Sequence, residues 1–134
     1  MIGIVIAAHG HLAQELASTA TQIVGELAHV ACCSVEPGSS VEELRNHLSE
    51  AIHGVDDGDG VLVLADLLGG SPCTQSLMLC ADKKVEVLTG VNLPMLLKAN
   101  SLRLALPKLH ELARALAQYG QRNITLASDL VRSP

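Results

Sequence analysis

Strands that alternate with helices along the chain predict an open doubly wound α/β fold, a mostly parallel sheet with helices on both faces. Three observations carry that expectation. Ile2 to Ala8 and Val61 to Ala65 are unbroken aliphatic runs, as expected of strands covered on both faces. Segments between the strands repeat apolar residues at three- and four-residue steps, the signature of helices with one buried stripe. The 134 residues contain no repeat, low-complexity tract or linker, so residues 1–134 are expected to form one domain.

In order, the first strand is Ile2 to Ala8, followed by a helix whose stripe is Leu12, Leu16, Ala20, Ile23 and Leu27 and which ends near Gly25. His29 to Ser34 can form the second strand. Pro37-Gly38-Ser39-Ser40 is a turn, and Ser40 with Glu43 has the spacing of a capping box for a helix carrying Val41, Leu44, Leu48 and Ile52. Asp56-Asp57-Gly58-Asp59-Gly60 breaks the chain before the third strand, Val61 to Ala65. Ser71 is placed to cap, and Pro72 to open, a helix reaching about Cys80. Val85 to Thr89 is the fourth strand. Pro94 opens a short helix, and a strong stripe of Leu109, Leu112 and Leu116 runs within 106–119, with Gly120 as its stop. Asn123 to Ala127 has strand character and would be the last, short strand.

Composition narrows the function. Net charge is −5 with His neutral, and no Lys/Arg block stands out, which argues against nucleic acid. No apolar run is long enough to span a membrane, and the start reads as a strand, not a signal peptide. Cys32, Cys33, Cys73 and Cys80 include no Cys-x-x-Cys, so buried reduced thiols in a cytoplasmic protein are expected rather than a zinc clip.

In doubly wound sheets chemistry gathers beyond the carboxyl ends of the strands. That edge collects His9 and Gly10 after the first strand, Asp66 and the Gly69-Gly70-Ser71-Pro72 loop after the third, and Gly90-Val91-Asn92 after the fourth. Alone, a histidine here is more often a cap or packing residue, and Asp66 a helix cap or solvated acid. Together they suit phosphoryl acceptance. Neutral imidazole is nucleophilic near neutral pH, and a carboxylate on one ring N–H fixes the tautomer and favours the cation formed on attack. Unpaired N–H groups at a helix start suit a phosphoryl dianion, and Gly10 leaves room beside the ring. Neither a P-loop nor a dinucleotide fingerprint is present, so no nucleotide, metal or other cofactor is expected.

Three segments carry a family resemblance: Ile4 to Gly10, Val61 to Asp66 with Gly69-Gly70-Ser71-Pro72, and Gly90 to Leu96. With them the chain resembles the mannose-type enzyme IIA domain of the bacterial sugar phosphotransferase system. The resemblance implies a cytoplasmic phosphotransferase whose His9 takes phosphate on Nε2 from the phosphocarrier HPr and passes it to an enzyme IIB domain. Asp66 would be its hydrogen-bonding partner, with Gly10, Gly69, Gly70 and Ser71 around the phosphoryl group. It also implies a homodimer that exchanges the last strand, and contact with membranes only through a permease complex. Leu68 stands where some members carry an aromatic residue before Gly69-Gly70. No IIB domain follows in this sequence, so a separate acceptor, or a regulatory role, is expected. Two alternatives stay open: the phosphotransfer subunit of a dihydroxyacetone kinase, and a metal-binding or chelatase-like protein using His9 and His11. His29, His47, His53 and His110 carry no partner pattern in sequence and are expected to be structural or solvated.

Overall fold

A computed structural model describes residues 1–67, 71–80 and 84–132. Its elements are β1 (Gly3–His9), α1 (Leu12–Val24), β2 (Val30–Val35), α2 (Val41–Val55), β3 (Val61–Ala65), α3 (Ser71–Leu79), β4 (Val85–Leu88), α4 (Leu93–Ala105), α5 (Leu109–Arg122) and α6 (Asp129–Arg132). The four strands are all parallel, in the order β2-β1-β3-β4. The doubly wound α/β fold expected from the alternation is therefore the fold adopted. Ile4 lies opposite Leu62 and Ala7 opposite Ala65, so β1 and β3 run in step to the same edge.

Strand alternation divides the core into two layers. Ile4, Ile6, Ala8, Leu62 and Leu64 pack with α1, α4 and α5. Val5, Ala7, Val61 and Val63 pack with Leu44, Leu48 and Ile52 of α2 on the other side. Every residue from Ile2 to Ala8 and from Val61 to Ala65 is buried, which explains why both runs are uninterrupted. At the amino-terminal edge Arg103, only 3% exposed, ties three segments together. Its guanidinium donates to the Ile2 carbonyl at 2.9 Å, to the Ala28 and His29 carbonyls, and to Asn100 Oδ1 at 2.9 Å.

Several sequence expectations shift. Of the expected α1 stripe, Ala20 is buried and Leu16 and Leu27 pack against the core, whereas Leu12 and Ile23 are 42% and 58% exposed and Ala13 is buried instead. The cap at Ser40 is present, its Oγ accepting from Glu43 N–H at 3.1 Å. Ser71 is the first residue of α3 rather than its cap. The helix around Pro94 is not short: Asn92 caps it through Met95 N–H at 2.9 Å, and it runs 13 residues. Gly120 does not stop α5, which continues to Arg122; a Cβ there would sit 3.3 Å from the Met95 methyl, so the glycine serves helix contact instead.

The tail is the main correction. Residues 123–127 form turn and irregular backbone, not a strand, and Ile124 and Leu126 are 80% and 67% exposed. A short strand holds only by pairing with an existing edge, and this segment reaches none in its own chain.

Candidate functional site

The topology brings two residues together at the carboxyl edge. His9 is the last residue of β1, and Asp66 directly follows β3, its hydrogen-bonded neighbour. The Asp66 carboxylate grips His9 twice through one oxygen. Oδ2 accepts the His9 backbone N–H at 2.9 Å and lies 2.8 Å from His9 Nδ1. Oδ1 accepts the Leu67 N–H at 2.9 Å. The Asp66 side chain is 11% exposed, that of His9 45%.

Burial raises the Asp66 carboxyl. The His9 N–H and ring bonds, the charge of His9 and the Leu67 N–H outweigh it, and the group sits below the usual aspartate value. An ionised carboxylate can only accept, so Nδ1 carries the hydrogen and Nε2 the lone pair. The ring is thereby held in one orientation, with nearly half its surface open.

Neighbouring backbone completes the edge. Gly10 leaves β1 in the left-handed region, φ 60°, and its N–H donates to the Val35 carbonyl at 3.1 Å. That turn leads into α1, and beyond its chain neighbours Gly10 faces open space. Val91 N–H bonds to the Ala65 carbonyl at 3.0 Å, docking the loop after β4 against the end of β3. Ser71 is exposed at the start of α3, on the same edge. Gly69 and Gly70, expected to cradle an anion, lie outside the described residues, as does Leu68.

His11 is exposed immediately before α1, and its side chain makes no capping bond. Among the described residues no group of three or more His, Cys, Asp or Glu is placed to hold a metal ion. His110, expected to lack a partner, has one: Nδ1 lies 3.0 Å from Glu86 Oε1, and Nε2 lies 3.3 Å from an Arg114 Nη. That pair joins α5 to β4 near the start of both, away from the edge that carries His9. Sequence reasoning missed Leu67, which acts through a backbone N–H and so has no residue signature. It also missed a contact between α2 and α3, Arg45 Nε donating to Gln75 Oε1 at 3.1 Å. A separation of 30 positions hides that pairing from any local pattern.

Comparison with known proteins adds a second line of support. Residues 3–117 match the family model described as PTS system fructose IIA component. The chain is 34% identical over 124 residues to the PTS system mannose-specific EIIAB component of Escherichia coli strain K12, covering 92% of this chain. It spans 38% of that relative's length. The PTS system fructose-specific EIIA component of Bacillus subtilis strain 168 is 31% identical over 121 residues, 88% of this chain and 83% of the relative. Among solved structures, a phosphotransferase system component EIIA from Streptococcus agalactiae superposes with a TM-score of 0.88 at 32% identity, covering 96% of this chain and 98% of that one. A mannose/sorbose-specific IIA subunit from Enterococcus faecalis does so with a TM-score of 0.83 at 31% identity, over 92% of each chain.

Proposed function

The chain belongs to the mannose- and fructose-type IIA family of the sugar phosphotransferase system, and from that premise we propose that it is a phosphocarrier in which His9 receives and passes on a phosphoryl group. The observation that carries this reading is the 2.8 Å contact of His9 Nδ1 with a buried-side carboxylate while the ring stays half open. The donor is HPr and the acceptor an IIB-type domain, in sugar uptake or a regulatory branch. The relatives do not favour the dihydroxyacetone kinase alternative. No described helix is long and apolar enough to cross a membrane, and the proposed site of action is the cytoplasm.

In the transfer, the Nε2 lone pair forms a bond to phosphorus as the donor's P–N bond breaks. Nδ1–H stays on the ring and keeps donating to Asp66, whose charge stabilises the developing imidazolium. Positioning and charge supply most of the catalysis of phosphoryl transfer. Gly10 supplies clearance, and Ser71 supplies a donor at the start of α3. Incubation with enzyme I, HPr and phosphoenolpyruvate should place one acid-labile phosphoryl group on His9. His9→Ala should fold and take none; finding the group on His11 or His110 refutes the assignment.

A homodimer belongs to the same proposal. Ile124, Leu126, Leu130 and Val131 are all exposed in the tail. Ile124 also lines a cleft of about 270 Å³ with Leu88, Gly90 and Met95, beside the edge strand β4. A second copy's tail paired with that edge would cover these groups in a two-fold arrangement. Deleting residues 122–134 should give monomer or aggregate by light scattering. An unchanged dimer, or a monomeric intact chain at micromolar concentration, refutes the exchange.

A further inference from the structure

We propose that Arg45 is a further residue of the acceptor site, one that binds the phosphoryl group on His9 through its guanidinium. This rests on the reading of His9 given above. In β1 the side chains alternate: Ile4, Ile6 and Ala8 lie in one core layer, Val5 and Ala7 in the other. His9 continues the second series, so it emerges on the face covered by α2 and α3. Those two helices pack against each other and against β1, and β1 lies between β2 and β3 in the sheet. The seam between α2 and α3 therefore runs along β1 towards His9.

Both helices begin at the carboxyl edge, α2 after β2 and α3 after β3. Arg45 lies one turn into α2 and Gln75 one turn into α3, and the bond from Arg45 Nε to Gln75 Oε1, 3.1 Å, bridges the seam at that end. Gln75 is 7% exposed, a buried polar anchor on a helix otherwise packed by Pro72, Cys73 and Ser76. Tethering through Nε fixes the guanidinium plane and leaves both Nη groups free to donate, the fork that matches phosphate oxygens. Three other cations are engaged elsewhere. Arg103 binds carbonyls at the opposite edge, Arg114 meets His110, and Lys98 lies over Tyr119.

A charge argument shows why the site needs such a group. Asp66 favours the imidazolium but repels the incoming phosphoryl dianion, and Glu42 and Glu43 in the first turn of α2 add to that repulsion. A guanidinium on the seam offsets these charges. It exchanges no proton during transfer; the P–N bond of the donor breaks as the P–Nε2 bond forms.

The test measures phosphorylation of the full chain by two donors, phospho-HPr and the small molecule phosphoramidate, which has no protein surface. In Arg45→Ala the rate with phosphoramidate should fall about tenfold, less than the hundredfold or more for a donor in an enclosed oxyanion hole. The phosphorus-31 resonance of the phosphohistidine should also shift. Arg45→Lys should restore part of the rate, and Gln75→Leu, which keeps volume and removes the tether, should give an intermediate loss. Wild-type rates with phosphoramidate and an unmoved resonance in Arg45→Ala overturn the proposal. That holds also if transfer from phospho-HPr alone slows, since Arg45 would then contact the partner protein. Absence of phosphorylation in the unmutated chain overturns the reading of His9 itself, a result distinct from equal rates.

Discussion

Asp66→Asn isolates the charge of the carboxylate from its shape. Asp66 uses both oxygens, Oδ2 for the His9 N–H and ring and Oδ1 for the Leu67 N–H. An amide offers an acceptor on one side only. With its oxygen at the Oδ2 position, its NH2 group confronts the Leu67 N–H. With the NH2 there instead, the ring must accept at Nδ1, which puts the hydrogen on Nε2 and removes the nucleophile. In the better pose the variant still loses a charge-assisted bond to the imidazolium, worth about 1.5–3 kcal/mol. That corresponds to a transfer rate lower by about 10- to 100-fold. The half-open ring of His9, partly screened by water, favours the lower end.

Rapid-quench transfer from phospho-HPr reads the rate, and circular dichroism checks the fold. A second measurement uses acid unfolding. Because the folded Asp66 carboxyl lies below its unfolded value, its contribution to stability is complete above the unfolded value and is lost as pH falls through the folded one. The variant should lack that part of the acid limb. Wild-type transfer rates together with an unchanged acid limb would refute the assigned role of the carboxylate.

Three further outcomes follow from the packing. Arg103→Met leaves the Ile2, Ala28 and His29 carbonyls without their side-chain donor and should lower stability by about 2 kcal/mol or more in urea; a change under about 0.5 kcal/mol contradicts the clamp. Cys33 is 4% exposed, and burial with the neighbouring Cys32 pushes its thiol up to about 11, so it should resist thiol reagents at neutral pH until the chain unfolds. Fast labelling of Cys33 in the native protein would show the second strand to be more open than described. Gly120→Ala should be tolerated, gaining up to about 1 kcal/mol of helix propensity if the Met95 methyl moves aside; a clear loss in thermal midpoint would mean that the α4–α5 contact cannot give.

Much of this fold was legible because the signals were local. The runs Ile2 to Ala8 and Val61 to Ala65 mark strands buried on both faces, and Ser40 with Glu43 marks a helix start. From the strand order alone, His9 and Asp66 are expected at one edge, and there they meet. What stayed hidden depends on distance between elements. The α1 stripe places Ala20 against the sheet, as found, but nothing in its pattern says that Ala13 is buried while Leu12 and Ile23 are exposed; how the helix is rotated on the sheet decides that. The same holds for Arg103, whose carbonyl partners come from the first strand and the turn before the second. The tail differs again: β-like residues at 123–127 make a strand only by pairing with an edge, and in their own chain they pair with none.

The single oxygen of Asp66 that holds both the backbone and the ring of His9 has a consequence for signalling. One atom thus ties the ring to the end of β1, which is hydrogen-bonded into the middle of the sheet. On the reading proposed above, a phosphoryl group on Nε2 adds negative charge at this edge without requiring the Nδ1 contact to Asp66 to break. A partner that senses that added charge should discriminate less well as ionic strength rises.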